Sequence, residues 1–350
     1  MSTAVCEFIG WSSPGRTVKT QDGGTNRRGG WVRMRVGTWN VENLFTPAAG
    51  TGYGPTEKAV FEAKIAGLAS TITDAELDVV AVQEVGDEDA FTALIDALGS
   101  GWDGELSTRF ATPHTIRNGI LSRLPIETVS EHEAIPDELQ GVPVDDAGTA
   151  LTAMGRGALH IRVTARGQAV DVVSVHLKSK LITYSGGRFT PRDEAERARY
   201  AAYALYRRAA EAVAVRGFAD ALIDAQGDER HLVVAGDFND EAAAATTQII
   251  HGPAGSEIGT PGENRPDQGD AHRLFNLAPL IPEELRFSRV YRGRGELIDH
   301  LFVTNATRQA VTDATTLTGG EPLPSIDDTP TTRRDSPYSD HALVVATLDL

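Results

Sequence analysis

The chain has 350 residues, 41% of them hydrophobic and 23% charged, a globular composition with room for one large domain or two small ones. Cys6 is the sole cysteine, which excludes an internal disulfide framework and a multi-cysteine zinc site, and no apolar run is long enough to span a bilayer. Acids outnumber bases to give a formal net charge of −16, which argues against broad electrostatic binding to duplex nucleic acid, where affinity comes from Lys and Arg neutralising phosphates.

Residues 1–33 lack a hydrophobic period and are rich in Gly, Thr, Ser and Arg between 12 and 30, so a disordered or dispensable N-terminal tail is expected there. The tail lacks the apolar core of a secretory signal, which points to the cytoplasm. Met34 opens the first strand-like segment, 34–43, and is an alternative initiator. A helix is expected over 57–73, where Val60, Phe61, Ile65, Leu68 and Ile72 recur at helical spacing, followed by a strand at 78–85 and a short helix at 87–98. A strand at 119–122 stops at Leu124-Pro125. Segments 156–163 and 170–175 read as a hairpin around Ala165-Arg166-Gly167, and 191–223 as a long helical stretch interrupted near Gly217. The apolar run Leu232-Val233-Val234-Ala235 is a strand buried on both faces, followed by a helix at 241–250 and an irregular surface loop at 252–269. Strands at 296–303 and 342–348 close the chain. No linker-like stretch divides these elements, so 34–350 is expected to be a single domain.

Several strands share an uncommon construction. The run 232–235 leads directly into Gly236-Asp237-Phe238-Asn239-Asp240, placing a carboxylate and an amide on alternate residues at the mouth of a buried strand. Asn40, Glu84 and His176 sit at or near the ends of three other apolar runs. Asp299 lies within a fifth, and Asp340-His341 precedes the last strand. One such ending is equally a Gly/Asp/Asn turn. A charged or amide group in an apolar strand costs several kcal/mol, by order of magnitude, unless partnered, so the repetition implies that these groups partner one another or a metal.

Thr38-Trp39-Asn40-Val41, Val82-Gln83-Glu84-Val85, Arg156-Gly157-Ala158-Leu159, Ser174-Val175-His176-Leu177-Lys178, Gly236-Asp237-Phe238-Asn239-Asp240, Ile298-Asp299-His300 and Ser339-Asp340-His341 follow one another along the chain. In that order they resemble the endonuclease/exonuclease/phosphatase superfamily, the DNase I-like phosphodiesterases. The resemblance implies an α/β fold, a four-layered α/β/β/α sandwich of two packed mixed β-sheets flanked by helices. It implies a phosphoric ester hydrolase dependent on Mg²⁺ or Mn²⁺. Asn40, Glu84 and Asp340 would be the metal ligands, all oxygen donors as Mg²⁺ prefers. Asp299 and His341 would be the base or water-orienting pair, Asp237 and Asn239 would orient the nucleophile and hold the scissile phosphate, and His176 would be a phosphate donor or general acid, as an imidazolium. Arg156 would contact phosphate, although by itself it reads as a surface salt bridge. Glu42 is expected to face solvent, and His300 to lie on the strand face opposite Asp299.

The expected activity is a nuclease hydrolysing DNA or RNA, endo- or exonucleolytic, by in-line attack of water. The alternatives are a phosphatase or phosphodiesterase acting on a small phosphorylated metabolite or phospholipid headgroup, and a catalytically silent binding module on the same fold. Nucleic acid is the expected partner, with basic rims drawn from the arginines of 188–208 or from Arg289, Arg292 and Arg294, unless the helical arginines pair with Asp193, Glu194 and Glu196. The oligomeric state is left open.

Overall fold

The computed structural model describes residues 33–108, 116–319, 321–327 and 332–350. The tail expected over 1–33 therefore lies outside the described residues except for Arg33, as does part of 319–335. In chain order the elements are β1 (Arg33–Leu44), α1 (Lys58–Asp74), β2 (Val79–Val85), α2 (Glu88–Leu98), β3 (Asp103–Leu106), β4 (Arg117–Ser122), β5 (Ile126–Ala134), β6 (Ala153–Ala165) and β7 (Gln168–His176). There follow α3 (Glu194–Ile223), β8 (His231–Asp237), α4 (Ala245–Gln248), β9 (Phe275–Asn276), β10 (Arg289–Tyr291), β11 (Arg294–Glu296), β12 (Asp299–Val303), α5 (Asn305–Ala310), β13 (Val311–Leu317), β14 (Ser325–Ile326) and β15 (Leu343–Asp349). Residues Val32–Leu350 form one compact unit.

Two six-stranded mixed sheets, ordered β13-β15-β1-β2-β4-β3 and β5-β6-β7-β8-β12-β9, pack face to face. A small third sheet, β11-β10-β14, stands beside them. Period-two alternation divides each central strand between two cores. Val79 and Ala81 of β2, Val170 and Val172 of β7, and Val233 and Ala235 of β8 fill the layer between the sheets. Their neighbours Val80 and Val82 pack under α1 and α2, whereas Val173, Val175, Leu232 and Val234 pack under α3. The result is the four-layered α/β/β/α sandwich, and burial on both sheet faces explains why these strands read as unbroken apolar runs.

Towards one end of the sandwich the inter-sheet layer turns polar. Thr38 Oγ1 donates to Gln83 Oε1 at 3.3 Å, and Gln83 Nε2 donates to Ser174 Oγ at 3.2 Å, a ladder crossing from one sheet to the other. One residue-pair further along the same faces come Asn40, His176, Asp237 and, at the start of β12, Asp299. The site is thus the polar rim of the central core.

Three local expectations are corrected. Helix α3 runs its full 30 residues through Gly217. Burial of Ala212, Ala214, Val215, Ala219 and Ile223 on the sheet outweighs the roughly 1 kcal/mol that an interior glycine costs. The expected helix at 241–250 is reduced to the single turn of α4, because Asp240 accepts from both Arg208 Nε and Thr246 Oγ1 and folds the segment back on itself. Asp299 begins its strand rather than lying inside it. Both longer helices that open on an aspartate are capped by it: Asp87 accepts from Ala90 N and Asp193 from Glu196 N, each at 2.8 Å.

Gly236 is where β8 comes closest to β7: a Cβ there would lie 2.0 Å from the Val175 carbonyl oxygen. Gly236→Ala is therefore expected to destabilise the protein by about 1–3 kcal/mol through forced displacement of β7, measured as a lower urea midpoint at unchanged m-value.

Candidate active site

Strand β1 brings Asn40 to the rim, and the backbone there departs from regular pairing. The β1–β2 register shifts between Asn40 and Leu44, and the β2–β4 register shifts between Val82 and Val85. Glu42, Asn43 and Glu84 take left-handed φ values of 51°, 49° and 67°. Strict alternation would put Glu84 on the face of Val80 and Val82, under the helices. The bulge swings it round to Asn40 instead, and such departures concentrate where a side chain must be re-aimed.

Asn40 Nδ2 donates at 3.0 Å to Glu84 Oε1 and at 3.0 Å to Asp237 Oδ2, so a single amide joins a carboxylate from each sheet. Its Oδ1 accepts from Glu42 N at 3.0 Å, and Glu84 Oε2 accepts from Asn43 N at 2.9 Å. In this orientation Asn40 organises the carboxylates around it with its nitrogen. Asp237 Oδ1 accepts from Asn239 N at 2.8 Å, and Asn239 Nδ2 donates to Leu177 O at 3.0 Å. Asn239 has φ 54°, so a turn and not strand alternation brings it beside Asp237. His176 Nε2 lies 3.5 Å from Asp237 Oδ2. His341 Nδ1 meets Asp299 Oδ2 at 2.7 Å, and Asp237, Asp299 and His341 each present a possible ligand atom within 4.8 Å of the others. Trp39 Nε1 donates to His341 O at 2.8 Å, and Ser339 Oγ donates to Asn40 O at 2.6 Å, tying the segment before β15 to β1.

A family model described as "Endonuclease/Exonuclease/phosphatase family" matches residues 37–341, which spans every one of these groups. The chain belongs to that family. Solved structures agree in fold: TDP2 from Caenorhabditis elegans superposes with a TM-score of 0.54 at 14% identity, covering 92% of this chain and 75% of that one. The human Nocturnin catalytic domain gives 0.52 at 15% identity over 90% and 93% of the two chains. A family member from Bacteroides vulgatus gives 0.52 at 17% identity over 91% and 99%, and a 3' phosphatase, NExo, from Neisseria gives 0.50 at 19% identity over 91% and 100%. No curated protein matches the chain in sequence.

Within this member of the endonuclease/exonuclease/phosphatase family, the nine residues singled out from sequence fall at one rim. Asp340 is half-buried, and its backbone N–H donates to Glu42 Oε2 at 3.1 Å. Arg156 is no surface salt bridge: desolvation lowers its pKa, and its Nη1 donates to Leu177 O at 3.2 Å, the carbonyl that Asn239 also uses. His300 does occupy the opposite face, between Asp240 O and the Phe238 and Phe302 rings.

Glu42 overturns its solvent-facing assignment. It is only 8% exposed, the bulge having turned it inward, and Arg333 pairs with it at 3.3 Å. Burial, and then the Asp340 carboxylate, push it up to about 7. The fully buried Lys64 donates to Glu42 O at 2.5 Å and has its own pKa lowered by burial. Neither Glu42 nor Lys64 carried a sequence signal, since a charged residue on a strand and another on a helix read as surface.

Burial, and then the neighbouring Asp299, raise Asp237 to about 7. Burial works against the charged form of His341, but contact with Asp299 outweighs it and lifts the imidazole to about 10. His176 goes the other way. Burial, and then Arg156 and His341, press it well below 6.5, so the free protein holds it neutral and not as the expected imidazolium.

Because His341 binds its proton more tightly folded than unfolded, the stabilisation it supplies is complete below about pH 6.5 and is lost as pH rises towards about 10. The stability margin of the wild type over His341→Gln, measured by urea denaturation in EDTA, is expected to shrink steadily between pH 6.5 and 10. A margin flat over that range would refute the charged His341–Asp299 pair.

Proposed function

We propose that the protein is a divalent-metal-dependent phosphodiesterase, a nuclease hydrolysing DNA or RNA. The observation that carries this reading is the convergence, from six separate chain segments, of Asn40, Glu84, His176, Asp237, Asp299 and His341 on one buried rim. Phosphodiester hydrolysis requires that negative charge be neutralised, a water be deprotonated and the leaving oxygen be stabilised.

The residues fit a hard cation such as Mg²⁺ or Mn²⁺. Support comes from the acids gathered at one corner: the half-buried Glu84 and Asp340 both act on the buried Glu42, which burial first and then Asp340 raise to about 7. All of these donors are oxygens, the set that Mg²⁺ prefers. Bound there, the ion would supply charge neutralisation on a phosphoryl oxygen. The Asp237, Asp299 and His341 trio is a poorer cage, because His341 Nδ1 is already hydrogen-bonded to Asp299.

The remaining roles belong to the side chains. Asp299 accepts from His341 Nδ1 and fixes its orientation, leaving Nε2 to meet a phosphoryl oxygen as a donor. Asp237, raised to about 7, is poised near neutrality to take a proton from water, with Asn40 and Asn239 N holding its two oxygens in place. His176, neutral, donates a single N–H to the phosphate. Asn239 and Arg156, anchored together on Leu177 O, bracket the same oxygens.

A phosphatase reading is supported by one relative, since the Neisseria structure is a 3' phosphatase bound to a product DNA hairpin. Incubating the protein with plasmid, single-stranded DNA, RNA and a panel of phosphomonoesters separates the two. Cleavage of polynucleotide with Mg²⁺ or Mn²⁺, abolished by EDTA, is expected. Asp237→Asn and His176→Ala are each expected to lower kcat by about 10²- to 10⁴-fold with the fold intact by circular dichroism. Phosphate release from monoesters alongside intact polynucleotide would overturn the nuclease assignment, and unchanged hydrolysis by both variants would overturn the site.

A further inference from the structure

Beside the acidic rim lies a second, oppositely charged one. Helix α3 packs on the outer face of the sheet, against β6 and β8 with Val173 and Val175 of β7 in the same core, and its Glu211 is buried. Glu211 Oε1 accepts from Gly155 N at 2.9 Å and from Arg207 Nε at 3.2 Å, and Oε2 accepts from Lys178 N at 2.6 Å. Arg207 can lie there only because residue 155 has no side chain: a Cβ at Gly155 would fall 2.3 Å from Arg207 Nη2. The next residue on β6 is Arg156. Arg208 reaches the same place from the next position on α3, donating from Nη1 to Lys178 O at 3.0 Å and from Nε to Asp240 Oδ2 at 3.1 Å.

Arg156, Lys178, Arg207 and Arg208 thus crowd together: Glu211 accepts from Arg207 and Asp240 from Arg208, whereas Arg156 donates to Leu177 O and the Lys178 ammonium to Ser179 O, Ser179 Oγ and Leu181 O. Asp240 is shared further with Lys180 at 3.1 Å. The crowding has a cost. After burial, the positive charges of Arg156 and Arg207 are what press the Lys178 ammonium down to about 8. In a chain with 49 acids and 33 bases, partners for these cations are abundant elsewhere. Just before and on α3, Arg192 pairs with Glu196, Arg197 with Glu194 and Arg199 with Asp146. A cation excess kept at this one place, against the overall charge, calls for an anion from outside.

The position is informative. The charges of Glu211, Glu84 and Asp237 all act on Arg156, so it lies near both the basic cluster and the acidic rim. His176 and Lys178 are two residues apart on one chain segment. A phosphate held at His176, Asn239 and Arg156 would therefore have the cluster as its neighbour.

We propose that Arg207 and the N–H groups of Arg156 not used on Leu177 O form a second phosphate subsite, with the Lys178 charge beside them, that holds a phosphate flanking the scissile one. This inference rests on the phosphodiesterase reading and sharpens it, because it selects substrates carrying at least two phosphates in sequence, as a nucleic acid strand does, over single-phosphate esters. Arg207 is the natural probe. It is part-exposed, and Glu211 keeps its bonds to Gly155 N and Lys178 N when Arg207 is replaced.

The experiment compares wild type, Arg207→Gln and Arg207→Lys on two substrates, bis(4-nitrophenyl) phosphate with one phosphate and a short fluorogenic single-stranded oligonucleotide with several. Arg207→Gln is expected to lower kcat/KM on the oligonucleotide about tenfold more than on the one-phosphate diester, mainly through KM, as loss of one charge-assisted contact does. It is also expected to flatten the salt dependence of log kcat/KM on the oligonucleotide by about 0.7, and Arg207→Lys should restore that slope. An equal fall on both substrates, or no fall on either, would overturn the subsite while leaving the phosphodiesterase intact. A wild type inert on both substrates with Mg²⁺ and Mn²⁺ would remove the parent reading and the subsite with it.

Discussion

The architecture of the site depends on one amide. Asn40 Nδ2 holds Glu84 from its own sheet and Asp237 from the facing sheet, each at 3.0 Å. Two carboxylates brought together away from water repel, and each loses solvation as well. A shared donor between them offsets part of both costs. It also fixes how the two sheets meet at this end of the sandwich, where the apolar interdigitation of the central layer has run out. The Thr38–Gln83–Ser174 ladder just below does the same with neutral groups. Polar cross-links replace side-chain packing as the means of registering one sheet on the other, and some of the cross-linking groups are candidate-site residues.

From that tie the charges separate in two directions. Towards β1 and the segment before β15 lie Glu42, Glu84 and Asp340, held by the buried Lys64 and by Arg333. Towards α3 lie Arg156, Lys178, Arg207 and Arg208 around Glu211. Such a gradient would orient an anionic ligand in one direction under the proposed function. The overall charge of −16 does not oppose this. The helical arginines are paired locally, and those beside Arg156 and Lys178 share only Glu211 and Asp240.

Much of this was legible along the chain. Val79–Val85, Gln168–His176 and His231–Asp237 announce themselves as strands covered on both faces, and the polar residue at or near each end marks where the covering stops. Ordered motifs containing Asn40, Glu84, His176, Asp237, Asp299 and His341 gave the family and, with it, the layered fold. What failed was local and short-range in origin. Gly217 looked like a break, but α3 is held by the sheet beneath it. Residues 241–250 looked helical, but Asp240 had a distant partner in Arg208 that no periodicity reveals.

The sequence by itself determined which residues alternate between the two cores and which strand ends carry polar groups, because a period of two and an apolar run are properties of neighbouring residues. Tertiary structure alone decided the facing of Glu42 and Glu84, since left-handed φ values at β-bulges reverse the face that alternation assigns. It alone decided that His176 is neutral while His341 is charged. A histidine's protonation follows from what surrounds it in space, here burial and then Arg156 for His176 and, against burial, Asp299 for His341, and those surroundings come from segments distant along the chain.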